Sequence, residues 1–97
     1  MSSSFFLGAL TLRIEITDGT TLKDKRQVVR SLLDRIRGRF NVSAAEVGDL
    51  DSPRFATLAA AAVANEKPFL HRSLEKVAEF VESEPRAVVL QQSIELL

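Results

Sequence analysis

An α+β fold, with one four-stranded antiparallel sheet and two helices on one of its faces, is what this sequence predicts. Three observations carry the expectation. Leu10, Leu12, Ile14 and Ile16 alternate with Thr11, Arg13 and Glu15, which marks a strand with one buried face. Apolar residues recur at helical spacing twice, in Val29, Leu32, Leu33, Ile36 and Phe40 and again in Leu70, Leu74, Val77 and Val81. Turn and breaker residues then divide the chain into the order β-α-β-β-α-β. With 97 residues, of which 45% are hydrophobic, there is material for one core and not for two.

The elements follow in order. Residues 5–16 form the first strand, and Asp18-Gly19 turns the chain. Thr21 and Asp24 have the spacing of a capping box, so a helix starts there. Gly38 lies near its end, where a helix stops or loosens. Asn41 to Val47 reads as a second strand, Val42 and Ala44 alternating with Ser43 and Ala45, and residues 48–53 read as a loop. Residues 54–64 suit two structures. The alanine run Ala59 to Ala62 favours a helix by propensity, while Phe55, Thr57 and Val63 between two breakers favour a buried strand. A strand completes the repeating order, and the order decides. The second helix spans 67–83, with Asn65 as its cap and Pro68 in its first turn, and Glu84-Pro85 ends it. Arg86 to Leu96 closes the chain as a strand, with Val88, Leu90, Ile94 and Leu96 on one parity. Two interleaved right-handed crossovers then give the ferredoxin-like βαββαβ plait, with strand order 4-1-3-2.

Composition excludes several functions. There is no cysteine and a single histidine, His71, so thiol chemistry, disulfides and multi-histidine metal sites are absent, and neither metal nor cofactor is expected. No nucleophile or partnered carboxylate can be assigned beside His71, which reads as a surface residue, and no enzymatic activity is expected. No apolar run reaches the roughly 20 residues that span a bilayer. The start, Met1-Ser2-Ser3-Ser4-Phe5-Phe6, has no basic leader segment, so a cytoplasmic location is expected. The third strand is apolar on both parities, and Phe5, Leu7 and Ala9 add to the outer parity of the first. Central strands without a charged row suggest an open sheet face covered by a second copy, so a homo-oligomer is expected, most simply a two-fold dimer through that face or a sheet edge. The interior of strand 3 lacks aromatics, which argues against base stacking on the open sheet.

Charge is divided along the chain. Thirteen basic and thirteen acidic side chains balance overall. Residues 1–48 nevertheless hold eight basic against five acidic groups, and the first helix is the basic element. Counted from Lys23, Arg26, Arg30 and Arg37 fall at about 300°, 340° and 320° on a helical wheel, so the four share an arc of about 60°. They flank the apolar stripe and are the candidate nucleic-acid-binding residues, a solvated face being the bland reading of the same pattern. Lys25 falls inside the apolar arc and is expected to snorkel past the sheet edge. Phe69 and Phe80 share one flank of the second helix, as core edge or as a contact surface.

Two stretches carry a resemblance. Thr21-Leu22-Lys23-Asp24-Lys25-Arg26 and Phe40-Asn41-Val42-Ser43-Ala44-Ala45-Glu46-Val47-Gly48 resemble the YlxP-like family of small bacterial proteins of unknown function. Thr21 stands where the family pattern has serine, and the loop at Asp51-Ser52-Pro53 lacks the family's usual tryptophan. The resemblance implies a ferredoxin-like fold and a gene that often neighbours translation-initiation and ribosome-maturation genes. It implies no catalytic residue and no cofactor. The expectation is therefore a non-enzymatic binding module, associated with RNA or a ribosomal particle through the first helix. The alternative is a small-molecule-sensing plait with its ligand at Gly19-Thr20-Thr21 or between subunits.

Overall fold

The computed structural model describes residues 4–97; Met1, Ser2 and Ser3, which belong to the leader reading above, lie outside the described residues. Six elements follow in the expected order: β1 (Phe6–Ile16), α1 (Leu22–Arg39), β2 (Ser43–Gly48), β3 (Phe55–Ala64), α2 (Lys67–Glu82) and β4 (Ala87–Leu96). All strand pairs are antiparallel and the sheet order is β2-β3-β1-β4, the plait with β1 and β3 in the centre.

Alternation builds the core. The even-numbered side chains of β1 from Leu10 to Ile16 face the helices, together with Ala56, Leu58 and Ala60 of β3. Against them pack Val28, Val29, Leu32, Leu33 and Ile36 of α1 and Leu70, Leu74, Val77, Ala78 and Val81 of α2. The alanine run is strand because it lies between β1 and β2, where both rows of backbone groups find partners. Gly8 sits where Leu70, Leu74 and Leu96 converge on β1, so a side chain there would meet leucine methyls at 2.9–3.2 Å.

Several local readings change. The N-cap of α2 is Glu66, not Asn65, and no side-chain bond caps it. Pro68 within the first turn removes a donor that would otherwise need a partner. Helix α1 runs through Gly38 and ends at Phe40, whose backbone is extended. Strand β4 does not keep one parity. Its register with β1 shifts between Arg13 and Ile14, where Val89 lies opposite Ile14 and Gln91 opposite Arg13, leaving Leu90 as the extra residue. Ala87 and Val89 therefore face the core before this bulge and Ile94 after it, while Val88 and Leu90 are exposed. A second irregularity lies in β2, where Glu46 pairs with Leu58 and Gly48 with Thr57, so Val47 is the extra residue. Both outer strands are thus bulged.

The face away from the helices is divided. At one end Leu7 lies opposite Val63 and Ala9 opposite Ala61, and the Leu97 N–H donates to the Leu7 carbonyl at 2.7 Å. Leu7, Val63 and Leu97 are exposed there. The other end is charged, contrary to the expectation of an uncharged face. Arg13 pairs with Asp49 at 3.2 Å, Arg54 pairs with Glu15, and the Arg13 guanidinium lies 4.4 Å from the centre of the Phe55 ring. Thr57 donates to the same Asp49 carboxylate at 2.7 Å, and these two hydrogen bonds hold its pKa below the ordinary value. Phe80 and Phe69 also separate. Phe80 packs edge-on against Phe40 at 5.7 Å, whereas Phe69 is 58% exposed.

Candidate functional site

Helix α1 is positioned by its N-terminus, its buried stripe and two ionic anchors. The capping box forms: the Asp24 N–H donates to the Thr21 hydroxyl, and the Thr20 and Thr21 N–H groups donate to the Asp24 carboxylate at 3.0 and 3.1 Å. Those backbone bonds lower the Asp24 pKa. They also fill the helix N-terminus with the chain's own anion. Gly19, at φ 100°, brings its backbone so close that an added Cβ would lie 2.5 Å from the Asp24 Cβ. In the loop proposed as a small-molecule site Asp24 thus takes up the Thr20 and Thr21 N–H groups, and beside it lies a depression of about 420 Å³ lined in part by Glu15, Gly19, Thr20 and Arg54.

The first anchor is Lys25, which does not snorkel. It is 0% exposed, and its ammonium donates to Glu46 Oε2 at 2.7 Å and to the Asp49 and Phe55 carbonyls at 2.9 and 3.2 Å. The polar end has somewhere better than solvent to go, because the loop after β2 turns its carbonyls inward at Asp49, which is left-handed at φ 59°. Lys25 and Glu46 belong to the two stretches that carried the family resemblance, and here they meet. The second anchor faces α2. Arg35 donates to the buried Glu84 carboxylate at 2.5 Å, and Arg86 donates to it at 2.8 Å. The Arg86 and Arg35 bonds outweigh the burial of Glu84 and hold its pKa at about 2.

Between the anchors, the four candidate cations divide. None of the ion pairs among the described residues involves Lys23, Arg26 or Arg30, and all three are exposed. Arg37 is tethered: its Nε and Nη2 donate to the Ala44 carbonyl of β2 at 3.2 and 2.6 Å, with Asp34 at 3.7 Å. This contact shows that the basic stripe flanks the β2 edge of the sheet. Arg13, Arg35, Arg54 and Arg86, by contrast, are each committed to an acid. Three unpaired cations at positions i, i+3 and i+7 span about 10.5 Å of helix and form a row of positive charge along one flank.

The acidic flank of α2 was not singled out as a site, although its helical spacing shows in the sequence. Glu75, Glu79 and Glu82, with His71 and Ala78, line a groove of about 460 Å³ against Gln92, Ser93 and Ile94 of β4. No lysine or arginine lines it; Lys76 lies with Arg39, Phe40 and Phe80 in a neighbouring depression that Glu79 also borders. His71 bonds Glu75 at 3.1 Å. Among the described residues there is no cluster of metal-ligating type, and no helix is long and apolar enough to cross a membrane.

Comparison with known proteins agrees with the resemblance. The family described as Protein of unknown function (DUF503) matches residues 7–94. The chain is 34% identical over 70 residues, 72% of this chain and 76% of the other, to a Bacillus subtilis (strain 168) protein named Uncharacterized protein YlxP. A de novo designed protein, Foldit4, has a TM-score of 0.53 over 97% of each chain at 8% identity, a likeness of fold alone.

Proposed function

We propose that this chain, which belongs to the DUF503 family of proteins of unknown function, is a non-enzymatic binding module of the cytoplasm that holds RNA through helix α1, free or in a ribosomal particle. One observation carries the reading: Lys23, Arg26 and Arg30 stand exposed and unpaired along one helix flank, while Arg13, Arg35, Arg54 and Arg86 are each paired with a carboxylate of the chain. Arg37 lies in line with them, but its bonds to Ala44 make it a brace for the β2 edge and a secondary contact. The ligand is recognised by its phosphates and not by its bases. Phe55, the aromatic of β3, already carries Arg13 on its ring. The small-molecule alternative has less support, because Asp24 occupies the N–H groups that a loop ligand would use.

Binding is expected to be modest and sensitive to salt. Contact with about three phosphates gives a slope of roughly −2 for log affinity against log salt with single-stranded RNA. Changing Arg26 and Arg30 to Glu should weaken binding to all sequences and flatten the slope, with folding unchanged because both side chains lie outside the core. Sedimentation of tagged protein from cells, with and without nuclease, tests the particle: co-migration with ribosomal subunits is expected. Absence of RNA binding at low salt, or a slope untouched by the double substitution, would leave the stripe as a solvated surface.

A further inference from the structure

The two edges of the sheet carry opposite charges on the same side. Beside β2 stands the α1 flank with Arg26, Arg30 and Arg37, and Arg37 is bonded to that strand. Beside β4 stands the α2 flank with Glu75, Glu79 and Glu82. We infer that copies of this chain associate head to tail, the acidic α2 flank of one against the basic α1 flank of the next. The inference concerns protein alone and does not depend on RNA binding.

Direction and spacing both fit. Each strand runs antiparallel to its neighbour across β2-β3-β1-β4, so β2 and β4 run in opposite directions. A second copy in the same orientation therefore places its β2 beside β4 as a further antiparallel neighbour. Its α1 then lies beside α2, running opposite to it. Glu75 and Glu82 are seven residues apart, as are Arg30 and Arg37, and each pair spans about 10.5 Å along its helix. In the antiparallel arrangement Glu82 meets Arg30 and Glu75 meets Arg37. Glu79 then lies between them, within reach of the same guanidinium groups. Asp34, 3.7 Å from Arg37, is the one acid on the basic side.

The joint is made of side chains. Arg37 lies over the Ala44 carbonyl, so the β2 edge is shielded from an incoming strand. Such a contact is reversible, and because it joins two different surfaces it propagates as a ring or an open row. The molecule has no net charge to oppose it.

The test uses nuclease-treated full chain in sedimentation velocity and small-angle scattering, up to about 1 mM protein, at about 10 mM and about 500 mM salt. The expected result is a mass rising above 10.7 kDa with concentration at low salt and returning to it at high salt. Glu75→Arg with Glu82→Arg, and separately Arg26→Glu with Arg30→Glu, should each weaken self-association about tenfold or more. All four positions are exposed, and far-UV circular dichroism confirms that the variants fold. Mixed in equal amounts, the two variants should associate again, because the unaltered α1 flank of one then meets the unaltered α2 flank of the other. A monomer at all concentrations in low salt would overturn the inference. So would assembly indifferent to both variants, as a two-fold dimer through Leu7, Val63 and Leu97 would give, or a mixture that fails to restore association.

Discussion

Replacing Lys25 by Met keeps the unbranched stem out to Cε and removes the ammonium from a site with no access to water. Three close acceptors then lose their donor, the Glu46 carboxylate and the carbonyls of Asp49 and Phe55, besides the Leu50 carbonyl at the longer 3.5 Å. A stranded acceptor in a dry site costs about 1–3 kcal/mol. Glu46 is partly exposed and can turn to water, so its loss falls at the lower end. Each carbonyl keeps a second lone pair and is taken at about 1–1.5 kcal/mol, so the sum is about 3–4 kcal/mol, in line with the ~3–5 kcal/mol typical of a broken buried pair. For a domain of this size that lowers the melting temperature by about 15–25 °C. Glu46→Gln keeps an acceptor for Lys25 and should cost only about 1 kcal/mol. The double substitution Lys25→Met with Glu46→Leu removes the abandoned carboxylate but not the abandoned carbonyls. It should lie between the wild type and Lys25→Met alone. Urea denaturation by circular dichroism measures all three. If Lys25→Met loses less than about 1 kcal/mol, or if the double variant is less stable than the single one, the ammonium is not what holds the loop to the helix.

Other expectations rest on separate features. Glu84 is held at about 2 by Arg86 and Arg35, below the ordinary 4.5. A depressed carboxylate contributes stability that is present above pH ~4.5 and lost as pH falls toward ~2, here about 2 kcal/mol after allowance for the half-exposed guanidinium groups. Thermal melts between pH 6 and 2 should show this loss, and Glu84→Gln should flatten the curve; an unchanged acid limb in that variant would refute the assignment. Thr21→Ala removes the acceptor of the Asp24 N–H and should cost about 1 kcal/mol, or roughly 4–8 °C in melting temperature; no change would show the cap to be idle. Gly8→Val would press on Leu70, Leu74 and Leu96 and should destabilise by about 1–3 kcal/mol in urea, with the unmoved midpoint as the contrary result.

The order of elements was legible because burial on one face imposes a period, and the period survives in the residues. Leu10, Leu12, Ile14 and Ile16 alternate in the sequence and are buried in the structure. What alternation misses is any residue that interrupts its count. Leu90 is extra, so a parity read straight through β4 assigns Val88 to the wrong side. Lys25 was misplaced for another reason. A lysine on an apolar arc is placed by its charge unless a partner is known, and its partners lie 21 to 30 residues away. The signal available was Glu46, a carboxylate two residues on from Ala44 and so on the same, inward face of a strand otherwise free of acids. The basic stripe was legible as a direction on the helix. That Arg37 would be spent on the β2 edge was not, because its acceptor is a main-chain carbonyl, which any residue supplies.

The two bulges bear on how this protein behaves at high concentration. A sheet whose outer strands are straight offers an unending template, and strands added to it turn into fibres. Here the irregularities at Val47 and Leu90 fall on the two outermost strands, while the ten-residue register between β1 and β3 is unbroken. An extra residue bends and twists its strand and spoils the spacing that a neighbouring ladder needs. Val88, Leu90 and Leu96 of β4 are consequently held on a margin that cannot extend the sheet by main-chain pairing. Crowded solutions of the folded chain should thin again on dilution, and removal of Leu90, which would straighten that margin, is the change most apt to turn a clear solution into a gel.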